Sequence, residues 1–377
     1  MTAFPKPEPG RALRILESVL TQPTAPFFER RVRAALAARL DEAGVSWSVD
    51  AAGNLVARYK RGAAAPLVLT AHMDHPGFEL LSVKGTAAEA RWNGQVPTFR
   101  LKGLRLALYD GVTSSRRGTA VVTRGDGRRP GLVGGKPHNL LTLRVPRGAA
   151  VGDFGHADLT LFERRSGLIH SKAHDNVTGC AAIVAALDHL AKRGLPGNVT
   201  ALFTRAEEVG FHGCLAAIRL GSVPKSAPVV VLECSKAMPG AEMGKGPVLR
   251  VGDRARVFDA DVMAALEGRA AELKKKDPAL SYQRRLMDGG ACEASAFSLT
   301  GHRAVCFAFP LGNYHNVGAK GVGAEFIAEK DYLDGVRLLA AFASRGVDPD
   351  AAKRRLVAWL GGRFGSPELA RLTGSAR

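Results

Sequence analysis

The chain has 377 residues, 46% hydrophobic and 23% charged, proportions that fit a soluble globular protein with a sizeable core and exclude a collagenous or disordered chain. Five cysteines, none at CxxC spacing, exclude a disulfide framework and predict reduced, buried thiols. The net charge of +18, with 14 Lys/Arg against 7 Asp/Glu over residues 78–164, would suit an acidic partner, but no aromatic-rich binding motif accompanies it, and nucleic-acid binding is not expected.

In chain order, apolar spacing predicts helices over 9–22 and 26–44, then strands over 53–60 and 66–72. The second of these, "PLVLTAH", is a continuous apolar run, as expected of a strand covered on both faces. From 78 to 164 short β-type runs ("LRLALYD", "GTAVVTR", "GLVGG", "NLLTLRV", "ADLTLFE") alternate with Gly/Pro turns and no helix signal intervenes, which predicts a small all-β module. An α/β rhythm then resumes, with helices over 177–193, 213–220, 258–276, 292–299 and 330–344. Strands are expected over 199–205, 228–234, 281–287 and 304–309. The tail "DAAKRRLVAWLGGRF" reads as a basic amphipathic helix packed on the domain. No stretch approaches the roughly 18 apolar residues of a membrane span, and no secretory h-region follows the N-terminus, so a cytoplasmic protein without a membrane partner is expected. The coherent fold class is α/β, a mixed sheet sandwiched by helices, with an inserted small all-β barrel-like domain. The boundaries read as 1–77 and 165–377 for the main domain and 78–164 for the insert.

Polar residues collect where the apolar strands stop. "LTAHMDH" ends a buried strand on His72 and Asp74. "SKAHDNVTG" places Asp175 at a strand-to-helix turn, and "ALFTRAEEVG" runs a strand into Glu207 and Glu208. "PVVVLECS" ends on Glu233, and "AFPLGNYHNVG" puts His315 just past another apolar strand. Ligands gather at the carboxyl ends of strands in open α/β sheets, so these five places can converge. A carboxylate on a buried strand is costly without a partner. Two divalent metals about 3.5–4 Å apart, one carboxylate bridging them and one His and one further acid on each, would satisfy the whole set. Competing motifs are weak: "GAKGVG" lacks the flanking strand and helix of a dinucleotide site, and no His or acid is placed by sequence to activate Cys234-Ser235-Lys236 as a nucleophile.

In this order the residues resemble the co-catalytic dizinc aminopeptidases, in particular the TET-type, deblocking and glutamyl-aminopeptidase-like branch of the zinc exopeptidases. "AHMDHPGF" is similar to that branch's AHxDExGF, "SKAHDNVTG" to KALDDRxG, and "FTRAEEVGFHG" to FTxQEEVGxxG. "GGACEASAFSL" is similar to GGTDAxxxxL and "GNYHN" to RYxHS. The likeness spans about residues 10–345, and the β insert falls where the branch carries a barrel-like domain. The resemblance implies that His72 binds one metal, Asp175 bridges both, Glu208 and Glu233 bind one each, and His315 completes the second. It implies Glu207 as general base, moving a proton from a bridging water to the leaving amine. Asp74 would orient His72, its place two residues on suiting a shared strand face.

Zinc is the expected metal, with cobalt or manganese as alternatives. Peptides are the expected substrates, with Glu233 or Glu208 receiving the free α-amine, and the expected assembly is a homo-oligomer from dimer to dodecamer. The departures, Asn176-Val177, Glu233, Cys292-Glu293 and the sequence around His315, remove no ligand but bear on the substrate pocket. Two alternatives remain beside the metal-dependent aminopeptidase: an amidohydrolase or deacylase on the same site, and a non-catalytic binding protein.

Overall fold

A computed structural model describes residues 4–95, 101–125, 131–133 and 136–375. Helices α1 (Pro9–Leu20) and α2 (Arg30–Ala43) precede strands β1 (Ser46–Val49), β2 (Leu55–Arg61) and β3 (Leu67–His72). Seven strands follow: β4 (Gly77–Lys84), β5 (Ala87–Asn93), β6 (Arg105–Tyr109), β7 (Arg116–Arg124), β8 (Gly131–Val133), β9 (Lys136–Arg144) and β10 (Phe154–Ala157). Next come β11 (Glu163–Arg165), β12 (Leu168–Ser171), α3 (Val177–Lys192), β13 (Gly197–Thr204), α4 (His212–Leu220), β14 (Val229–Lys236) and β15 (Val248–Gly252). The chain continues through α5 (Ala260–Lys276), β16 (Gln283–Leu286), α6 (Glu293–Leu299), β17 (Ala304–Leu311), the short pair β18 (Val317–Gly318) and β19 (Gly321–Val322), β20 (Glu325–Ala328), α7 (Glu329–Arg345), α8 (Pro349–Phe364) and α9 (Pro367–Gly374).

The main sheet has the order β1-β2-β13-β3-β14-β17-β15-β16. Its centre, β13-β3-β14-β17, is parallel, and the apolar runs there are buried nearly throughout because helices cover both faces. Helices α3 and α7 pack on each other and on the sheet, as do α4 and α6. Helix α3 is buried from Val177 to Leu190, lying between the sheet and α1, α2 and α7. This is the sandwich expected from the sequence, and the central strand order sets the carboxyl ends of four strands side by side.

Strands β5-β4-β10-β6-β7-β9 form an antiparallel barrel closed by the pairing of β9 with β5. Its interior is a second core containing Phe78, Leu80, Trp92, Leu106, Leu108, Val122, Leu141 and Leu143. The chain enters the barrel directly after β3, where Gly77 lies so close to the neighbouring strand that an added Cβ would stand 2.5 Å from the Gly155 carbonyl oxygen.

Two local expectations differ from the structure, and part of a third is not described. "ADLTLFE" is not one strand: its first residue ends β10 and its last begins β11, while 158–162 between them is irregular and Leu161 is exposed. The last two residues of "GLVGG" lie outside the described residues. The tail does form helix α8, which lies against α5 at its start but buries little of its surface. Only Pro349 and Ala352 are buried, and Leu356, Val357, Trp359, Leu360 and Phe364 stay exposed. The apolar and basic side chains of α8 are interleaved around the helix, so no single face can be buried without taking charge with it. All five cysteines are buried free thiols. Among the described residues no helix is long and apolar enough to cross a membrane.

Candidate metal centre

Parallel pairing sets Thr204 opposite His72, and Glu233 opposite Ala308. The ends of β13, β3, β14 and β17 therefore deliver Glu207-Glu208, His72, Glu233 and His315 to one place. Asp175 reaches it from the turn before α3. One carboxylate oxygen of Asp175 lies 3.5 Å from His72 Nε2 and the other 3.3 Å from His315 Nε2. Glu233 Oε2 is 3.7 Å from His72 Nε2, and Glu208 Oε1 is 3.2 Å from His315 Nε2. Two triads with metal-ligand spacing thus share Asp175: His72, Asp175 and Glu233, and Asp175, Glu208 and His315. His72, Glu207 and Glu208 form a third such group, with Glu207 Oε2 3.8 Å from His72 Nε2.

The site is buried and rich in negative charge. His72, Asp175, Glu207, Glu233 and His315 are all at or below 9% exposure, and four carboxylates meet two imidazoles. Burial opposes protonation of His72, but the surrounding Glu207, Asp175, Asp74 and Glu233 outweigh it and push its pKa well up. His315 is pushed up in the same way, by Glu208 and Asp175 against burial. Burial also works against an ionised Asp175, yet the adjacent His315 and His72 rings hold its carboxyl below the usual range. Burial raises Glu207 well above an ordinary carboxylate; His72 opposes this, and Glu233 and Glu208 reinforce it.

Asp175 Oδ1, Glu208 Oε1 and Glu233 Oε1 are buried without a hydrogen-bond partner. Orphaned carboxylate oxygens beside imidazole nitrogens are an expensive arrangement that cations would relieve, so the donor set fits the divalent metals that the sequence suggested.

Asp74 acts differently from the expected same-face contact. β3 ends at His72, and the ring's Nδ1 bonds the Asp74 backbone carbonyl at 3.1 Å, its carboxylate being 3.6 Å away. That carboxylate instead accepts the backbone N–H groups of Glu207 (3.0 Å) and Glu208 (3.1 Å).

Several supporting residues were not identified from sequence. Glu29 accepts from the Ala206 N–H and the Arg205 guanidinium, bracing the turn that carries Glu207. The His75 ring spans the Asp175 carbonyl and Asn316 Oδ1. His315 Nδ1 meets Gln95 Oε1 at 2.9 Å, and Glu325 contacts the backbone on both sides of the site. The one local signal for His75 was its place beside the His72 motif. Glu29, Gln95 and Glu325 stand in no motif.

Beside the cluster opens a cavity of about 750 Å³, walled by Phe211, Cys234–Met238, Arg250, Met287–Cys292 and Tyr314. Arg250 braces one wall, donating to the carbonyls of Met287 and Gly290.

A family model described as M42 glutamyl aminopeptidase matches residues 145–327. The glutamyl aminopeptidase of Lactococcus lactis subsp. cremoris is 28% identical over 265 residues, covering 61% of this chain and 70% of that protein. The TET aminopeptidase from a marine-sediment Thaumarchaeota archaeon superposes with a TM-score of 0.75 at 18% identity, covering 91% of this chain and 98% of that one. The TET1 peptidase of Pyrococcus horikoshii, which can assemble into a tetrahedron or a large octahedral shell, gives a TM-score of 0.72 at 20% identity, covering 88% and 99%. The two structural likenesses establish a common fold.

Proposed function

We propose that this chain, of which residues 145–327 match the M42 glutamyl aminopeptidase model, is a member of that family and a metal-dependent aminopeptidase that releases N-terminal residues from peptides. The observation that carries this reading is Asp175, whose two carboxylate oxygens face His72 and His315 in triads completed by Glu233 and Glu208. Two divalent cations held there, zinc or alternatively cobalt or manganese, would polarise the scissile carbonyl and make the attacking water more acidic.

Glu207 is the general base. Burial raises its affinity for a proton, so it can take one from the attacking water and pass it to the leaving amine. Asp74 keeps Glu207 and Glu208 in place through their backbone N–H groups. Glu233 or Glu208 receives the substrate's α-ammonium, which restricts cleavage to chain ends. The adjoining cavity accommodates the N-terminal side chain. Residues 1–77 and 165–377 form the catalytic domain in this reading, with 78–164 as the inserted β domain. Assembly into a homo-oligomer, between dimer and dodecamer, belongs to the same proposal, supported by the shells of the Pyrococcus relative; native mass spectrometry reads it directly.

The test is hydrolysis of a panel of aminoacyl-p-nitroanilides by metal-free protein after adding back zinc, cobalt or manganese, with wild type beside Glu207→Gln. Metal-restored turnover that the variant lacks is expected. Turnover of N-acetylated but not free-amine substrates would replace the aminopeptidase with a deacylase.

A further inference from the structure

The residues of the centre are held by two different carboxylates that are not themselves proposed ligands. Asp74 bonds the backbone of Glu207 and Glu208. On the opposite side Glu325, fully buried at the start of β20, does the same for Asp175 and His315. Its Oε2 accepts the backbone N–H groups of His174 at 2.6 Å and Asp175 at 3.0 Å, and its Oε1 accepts that of His315 at 2.8 Å. Three backbone N–H groups thus converge on the two oxygens of one side chain. Here they tie together two segments 140 residues apart, since Asp175 and His315 meet on one side chain.

The place of Glu325 is fixed by the sheet. β20 pairs with β12, setting Ser171 opposite Glu325, and Gly312 bridges to Phe326. Strand β12 leads directly to Asp175, and β17 leads through Gly312 to His315. The His315 backbone is left-handed (φ 52°, ψ 38°), between left-handed Asn313 and Asn316. A non-glycine residue keeps that conformation only where its surroundings impose it, and the bond to Glu325 is one of the contacts that do so. The Asn316 side chain adds others, donating to the carbonyls of Lys172 and Gly323.

We propose that Glu325 is a positioning residue that sets cation affinity chiefly at the position formed by Asp175, Glu208 and His315, where it holds two of the three ligands, and less on the His72–Glu233 side, where it holds only the shared Asp175. This rests on the two-cation reading above. The experiment is a calorimetric zinc titration of metal-free protein, wild type against Glu325→Gln, with thermal melts of both. Glutamine keeps the size but turns an NH2 donor toward backbone donors. Wild type should take up two zinc ions per chain. The variant should bind one ion nearly as tightly as wild type does and the other about 10- to 100-fold more weakly, the range for lost support of a ligand.

Wild-type affinity at both positions of the variant, or equal loss at both, overturns the inference. Fewer than two ions on wild type overturns the two-cation reading and this inference with it. Should Glu325→Gln not fold, Glu325→Asp carries the same readout, because it keeps the charge on a side chain too short to serve both segments.

Discussion

Glu207 combines two properties that a proton shuttle needs: a pKa raised by burial and a backbone fixed by Asp74. Glu207→Gln is expected to lower kcat by about 10²- to 10⁴-fold, the usual contribution of a general base, while zinc stoichiometry stays at the wild-type value. Asp74→Asn removes one acceptor facing Glu207 and Glu208 and should cost about 10- to 100-fold in metal affinity or activity, measured by the same titration and assay. His174, next to Asp175 but not a proposed ligand, gives a pH prediction for stability. Its buried ring bonds Thr178 Oγ1 and the Ile169 carbonyl, and burial brings its pKa down from 6.5 to about 3. Between those values the unfolded chain binds a proton that the folded one refuses, so stability is present above pH 6.5 and is lost as pH falls toward 3. Urea midpoints from pH 7 to 4 should fall for wild type and fall less for His174→Asn. At this scale, residues that close an apolar run, such as His72 and Glu233, were legible because polarity at a buried strand end needs an explanation. Glu325 was not, because its partners are backbone N–H groups 10 to 151 residues away.

Among the elements, α3 and β14 meet closely at the site. A Cβ on Gly179 would stand 2.3 Å from Asn176 Oδ1 and 3.1 Å from Leu232 Cβ, and Asn176 is already bonded to the Leu232 carbonyl. Gly179→Ala should therefore destabilise by about 1–3 kcal/mol, as overpacking does, and lower kcat by shifting Asp175 against Glu233. Chemical denaturation and the anilide assay check the two parts. The long periodic helices and uniformly apolar strands could be read from sequence. Among the strands that could not were β1, whose four residues are all exposed, β5, and β15 with buried Arg250 at its centre. "AAEARWN" carries Ala and Glu, which favour helices, and is a strand because β4 and β9 pair with it on both sides. Tertiary pairing overrides local propensity there.

For the whole molecule, the concentration of carboxylates at the strand ends couples metal to stability. Saturating a metal-free sample with zinc should raise the melting temperature, by the equivalent of about 2.7 kcal/mol at a hundredfold excess over Kd. Asp175→Asn should remove most of that rise in a thermal scan. The order of strand-end polar residues, and the spacing that leaves room for a barrel between His72 and Asp175, follow from the linear sequence alone. So does the α/β sandwich, because periodicity and uninterrupted apolar runs are local properties of the chain. The closure of β5 onto β9, the turn of Asp74 toward Glu207 and Glu208, and the joining of Asp175 to His315 by Glu325 were decided only by tertiary structure. Each depends on which backbone groups come within about 3 Å of one another, and that distance exists only once the strands have paired.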